Sequence, residues 1–175
     1  MTSFTIADSE LDGIKDQAAI IAEASSVPFM KVDVTSWDNQ LALFKAVEQK
    51  YKKIDRVVAN AGVGIGVALL EDDVDDNANL LPPKLDTFNV NLVGVMYSVK
   101  LGLHYLKKNP GGGSIIMTSS AASFTPVPSP DYTSSRHAVL GLMRGLKPLL
   151  HPRNYPFVWT YSRHPGLTYP SCRPS

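Results

Sequence analysis

The chain has 175 residues, 44% apolar and 19% charged, with a formal net charge of +1. That length and composition give one domain able to bury a core, and the scattered, balanced charge argues against a nucleic-acid or anionic-membrane surface. No stretch approaches the roughly 20 apolar residues that span a bilayer, and the lone Cys172 allows no intrachain disulfide.

In chain order, Met1 to Asp12 carries Asp8, Glu10 and Asp12 and no apolar run, unlike a secretion signal. With the single cysteine this predicts a reducing, cytoplasmic setting. Ala18 to Ala22 reads as a strand, or Ala18 to Ser25 as a helix with Ser9-Glu10-Leu11-Asp12 as its capping box. Phe29 to Val34 reads as a buried strand. Ser36 is a candidate N-cap for a helix to about Lys53, with Leu43, Phe44, Val47 and Tyr51 on one face. Arg56 to Ala59 is a short β-rich run ending at Asn60-Ala61-Gly62. Glu71 to Asn79 is acidic and loop-like, and Pro82-Pro83 stops any helix before it. Leu85 to Leu106 is a long helical candidate, closed by Asn109-Pro110-Gly111-Gly112-Gly113. Ser114 to Thr118 is the next strand, Tyr132 to Leu150 the next helix, and Phe157 to Thr160 a last strand. Alternating strands and helices predict an α/β fold with a parallel sheet. The expected organisation is a single domain over 1–175: an irregular or helical segment at 1–26, a core at 27–160 and a disordered tail at 161–175.

The chemistry concentrates in Tyr132-Thr133-Ser134-Ser135-Arg136, read with Ser119-Ser120 upstream. A tyrosine serves as a general acid near neutral pH only when its surroundings favour the ionised phenol. A cation four residues on lies on the same helix face and can do so. His104, His137, His151 and His164 show no metal-ligand spacing, and the Asp72-Asp73-x-Asp75-Asp76 run lacks the glycine and terminal glutamate of a calcium loop.

These motifs together resemble the short-chain dehydrogenase/reductase family over roughly Val27 to Leu150. Asn60-Ala61-Gly62 matches its N-A-G turn, Asn91 in Asn89-Val90-Asn91-Leu92 its catalytic Asn, and Ser120 and Tyr132 its catalytic Ser and Tyr. The resemblance implies a Rossmann-like three-layer parallel sheet and hydride transfer between NAD or NADP and a small carbonyl or alcohol. It implies that Tyr132 exchanges the proton, Ser120 positions the substrate oxygen, Arg136 stands in for the family's lysine, and Asn91 anchors a water. It further implies cofactor contacts at Asp33, Asn60, Gly62, Lys100, Tyr132, Arg136 and Thr168, the last in a loop with Pro165-Gly166. The helices at 85–106 and 132–150 correspond to the pair through which family members form dimers or tetramers.

Three departures accompany the match. No glycine-rich dinucleotide loop stands at Ala18 to Val27, and the Gly62-x-Gly64-x-Gly66 run belongs to the N-A-G turn. Only about six residues separate Ala22 from Phe29, where a parallel crossover needs a dozen or more; a helix and a strand therefore read as missing near Ser26. The chain after Tyr155 is short, so the predicted Rossmann-like sheet is incomplete. The alternative to an oxidoreductase is an inactive relative serving as an interaction or oligomerisation module. On the residues alone, Lys100 lies on the opposite helix face from Asn91 and reads as a solvated side chain.

Overall fold

The computed structural model describes residues 30–64, 68–125 and 127–150, and the backbone of 157–162. The Ala18–Ala22 run, the Ser9 capping box, the gap near Ser26, Pro165-Gly166, Thr168 and the predicted tail after Ser162 fall outside those residues, while Tyr161 and Ser162, expected in that tail, lie in a strand. Helix α1 spans Trp37–Tyr51 and strand β1 spans Arg56–Ala59. A short helix α2, Asp86–Phe88, passes into a π-helical segment, Asn89–Gly94, and then into α3, Val95–Leu106. Strand β2 is Ser114–Ser120, α4 is Pro130–Leu150 and β3 is Phe157–Ser162. The three strands form a parallel sheet in the order β1-β2-β3, with Arg56 opposite Ser114 and Ile115 opposite Phe157. This is a small Rossmann-like α/β fold.

Local chemistry explains most element ends. Ser36 N-caps α1, its Oγ accepting from the Asn39 amide at 3.3 Å. The helix stops at Tyr51, short of the expected Lys53, because Lys52 turns left-handed (φ 66°) and returns its amide to the Glu48 carbonyl. Helix α4 starts two residues before the expected Tyr132, with Pro130 at its first position, where a missing amide costs nothing. β2 runs on to Ser120 and β3 to Ser162, both past their predicted ends, because the two strands pair over their full length.

Three predicted elements differ in kind. Residues 30–34 form no continuous strand: a single bridge at Lys31 gives way to a turn at Val34–Thr35. Val32 and Val34 still point inward, alternating with exposed Lys31 and Asp33. The acidic Glu71–Asn79 stretch is a tight hairpin rather than a loop, with Val74 bridged antiparallel to Leu80. Asp75 closes it, accepting from the Asn77 and Asn79 amides at 2.9 Å each and from the Asn79 side chain. The Asn79 side-chain bond, chiefly, holds the Asp75 carboxyl below its ordinary value. The expected helix from Leu85 to Leu106 runs unbroken from Asp86 to Leu106, but its winding changes to a π-helix over Asn89–Gly94.

The core lies between the sheet and its helices: Phe44 from α1, Val57 from β1, Val99 and Leu106 from α3, Ile115 and Met117 from β2 and Val139 from α4. Val57 and Ala59 face it while Arg56 and Val58 face outward, the period of two expected of a strand. The carboxyl ends of β1 and β2 are left facing the Asn60–Gly64 loop, the π-helical segment and the first turns of α4. In open parallel sheets, ligands bind beyond the strands' carboxyl ends.

Candidate active site at the carboxyl ends of the strands

The centre of the site is Arg136, one turn after Tyr132 on α4. Its side chain is only 6% exposed. The guanidinium lies 5.0 Å from the centroid of the Tyr132 ring and donates from Nη1 to the Thr118 carbonyl at 3.2 Å, near the end of β2. Nη2 lies against Gly62, where an added Cβ would overlap it. The Arg136 Nε is buried with no hydrogen-bond partner among the described residues. A buried donor left unmade costs more than a typical bond gains, so an orphan on a cation is a feature that needs an explanation.

Two serines fix the turn that carries this arginine. Ser119 and Ser123, both buried, approach the Arg136 carbonyl at 3.1 and 2.8 Å and each other at 2.6 Å. Ser120 closes β2 and N-caps a 3₁₀ turn, Ala121–Ser123; its Oγ accepts from the Ala122 amide at 3.2 Å. A hydroxyl that accepts there keeps its own O–H to give elsewhere. Tyr132 is half-buried in the first turns of α4.

Asn91 is wholly buried in the π-helical segment. Its Oδ1 accepts from the Val63 amide at 2.8 Å, and its Nδ2 donates to the Val63 carbonyl and to Ser135 Oγ, both at 3.1 Å. Ser135 passes its own proton to the Tyr132 carbonyl at 2.8 Å. One carboxamide thus joins the loop after β1 to the helical turn bearing the phenol. π-Helical bulges concentrate at functional sites because they re-aim a side chain or carbonyl.

The remaining predicted residues divide. Asn60 is exposed at the mouth, its Oδ1 accepting from Thr118 Oγ1 at 2.8 Å, so it belongs to the cluster. Asp33 is exposed, its carboxylate bound to the Thr35 amide at 2.8 Å and the Thr35 hydroxyl at 2.7 Å, which closes the local turn. Lys100 is exposed further along α3, outside the cluster. Sequence reading gave no role to Thr118, Ser119, Ser123 or Ser135. The Ser119–Ser123 spacing and the doubled serine before Arg136 were the available signals. It also passed over Gln40, a polar residue in the apolar row with Leu43, Phe44 and Val47. Among the described residues no helix is long and apolar enough to cross a membrane, and no group of three or more His, Cys, Asp or Glu could hold a metal ion.

A family model described as short chain dehydrogenase matches residues 3–173. The short-chain dehydrogenase/reductase ascJ of Acremonium egyptiacum is 32% identical over 89% of this chain. A short-chain dehydrogenase/reductase from Burkholderia phymatum, solved in complex with NAD, superposes with a TM-score of 0.71 at 24% identity over 91% of this chain. The NADPH-dependent 3-quinuclidinone reductase of Rhodotorula rubra does so at 0.62 with 26% identity over 82%. The chain spans 65% of the first relative's length and 56% and 53% of the two solved chains. With that family model matching nearly the whole chain, residues 3–173, the chain belongs to the short-chain dehydrogenase family.

Proposed function

We propose that the chain carries the catalytic half of an NAD(P)-dependent oxidoreductase acting on a small carbonyl or alcohol. The observation that carries this reading is the Arg136 Nε, a buried cationic donor left unspent beside Tyr132. A sugar hydroxyl is the kind of acceptor that would satisfy it, so the donor set fits the ribose of a nicotinamide nucleotide. Arg136 and Asn60 would hold that end of the cofactor. When bound, the nicotinamide supplies or accepts the hydride.

The chain's own residues supply the proton and the orientation. In reduction, the Tyr132 phenol gives its proton to the substrate oxygen. Ser120 donates its free O–H to the same oxygen, because its acceptor role is taken by the Ala122 amide. Asn91 holds the loop after β1 and the Tyr132 turn in fixed relation through Val63 and Ser135. Self-association through α3 and α4 belongs to the same reading; Met96 and Leu149, 47% and 64% exposed on those helices, support it.

A second reading, a fold retained without its chemistry, is favoured by the Nη1 bond to Thr118 and the close packing of Nη2 on Gly62, which make Arg136 look like a structural tie. Fluorescence titration with NADH and NADPH, followed by carbonyl-reduction assays, separates the two. The first reading expects saturable binding, and expects Tyr132→Phe to cut turnover by about 10²–10⁴-fold while binding persists. No binding up to millimolar nucleotide would leave the second reading standing.

A further inference from the structure

Away from the catalytic cluster, one fully buried polar side chain sits where the helix pattern calls for an apolar one. Gln40 is 0% exposed and occupies the inward row of α1. Its Nε2 donates to the Val34 carbonyl at 2.6 Å and to the Gly94 carbonyl at 3.0 Å. Its Oε1 accepts from Ser98 Oγ at 2.8 Å. The orientation of the carboxamide is not arbitrary: two carbonyls require the NH₂ group, and the hydroxyl must serve the oxygen.

The two carbonyls come from two adjoining segments that line one cleft. Val34 ends the segment before α1, and Gly94 ends the π-helical segment that carries Asn91. Both line a narrow opening beside the carboxyl end of β1, together with Ala59, Asn60, Ala61 and Val90. Gly94 is pressed on Val34; an added Cβ would lie 3.1 Å from both the Val34 Cγ2 and its carbonyl oxygen. The glycine lets the walls approach, and Gln40 bolts them at that spacing.

We propose that Gln40 is a positioning residue that sets the width of this cleft for the nucleoside end of a dinucleotide, distinct from the Tyr132–Arg136 end. This rests on the cofactor reading above. An apolar residue of the same length would take this donor from the Val34 carbonyl and leave the Gly94 carbonyl the Ser98 hydroxyl at 3.1 Å, so the tie between the walls would be lost and they would sample several spacings. Ligand affinity then falls by the fraction of molecules holding the competent one.

Gln40→Met is the direct test, on the full chain. Three titrations are compared with wild type: NADH by fluorescence, AMP by displacement of NADH, and reduced nicotinamide mononucleotide by fluorescence. The proposal expects AMP and NADH to weaken by about tenfold, with the mononucleotide unchanged. A purely structural role moves all three equally or none, and either result overturns the proposal. If wild type binds NADH but Gln40→Met binds AMP equally well, Gln40 alone is wrongly assigned. If wild type binds none of the three, the cofactor reading falls and this inference with it. Should Gln40→Met not fold, Ser98→Ala keeps both Gln40 donor bonds and removes the hydroxyl that serves Oε1 and the Gly94 carbonyl. It is expected to weaken AMP by a smaller factor, about threefold, and unchanged AMP affinity there overturns the proposal.

Discussion

Arg136 and Gly62 are best understood as a pair. Gly62 does not adopt a left-handed backbone; among the described glycines Gly112 alone has a positive φ. Its lack of a side chain matters because Arg136 Nη2 occupies the space a Cβ would take. Gly62→Ala is therefore expected to destabilise the protein by about 1–3 kcal/mol through overpacking. Most of that loss should vanish in an Arg136→Ala background, where the guanidinium is gone. Thermal or urea denaturation of the two single variants and the double variant measures the coupling. Additive losses would show that Gly62 is required for some other reason. The same contact separates arginine from lysine here: a planar fork fills the space under the loop and reaches Thr118, where an ammonium would offer a single point of charge.

Among the elements, the π-helical segment ties most to the rest of the site. Asn91 inside it satisfies both backbone groups of Val63. Asn91→Ala would leave that amide and carbonyl unpaired in a partly buried loop, at a cost of about 1–3 kcal/mol. Hydrogen exchange should quicken at the Val63 amide and leave the amides of α1 protected; unchanged exchange at Val63 would show that its amide is protected by something other than Asn91. The segment also shows why a helix that reads as uniform in sequence need not be so. Phe88, Leu92, Val95, Val99 and Leu103 keep helical spacing from Leu85 to Leu106. The π-helical stretch answers instead to Val63 and Val34, which lie far away in sequence. The hairpin at Val74 and Leu80 was illegible for a related reason: its strand pairing is a single bridge, and its turn rests on one aspartate accepting several bonds.

At the scale of the molecule, the order of strands and helices from Ser36 to Ser162 was readable from periodicity, caps and turn residues, because those signals are local. Ser120, Tyr132, Asn91 and Asn60 were singled out through the family resemblance of their motifs. What could not be read was how their hydrogen bonds are spent: that Arg136 turns under Gly62, that Asp33 closes its own turn, and that Ser119 and Ser123 pin α4. Those depend on contacts between distant segments. The exposed Met96 and Leu149 bear on assembly. Sedimentation velocity is expected to show a concentration-dependent dimer or tetramer, reduced to monomer by Met96→Asp; a monomer at all concentrations would remove α3 and α4 as an interface. A last consequence concerns the order in which the chain comes together. The partners of Gln40 lie 6, 54 and 58 residues away along the chain. Until α3 arrives, α1 cannot dock on the sheet without stranding an amide in a dry interior, which is costly. A collapse that recruits the early half of the chain alone is thereby penalised, and one glutamine makes the late half a condition of the early half's burial.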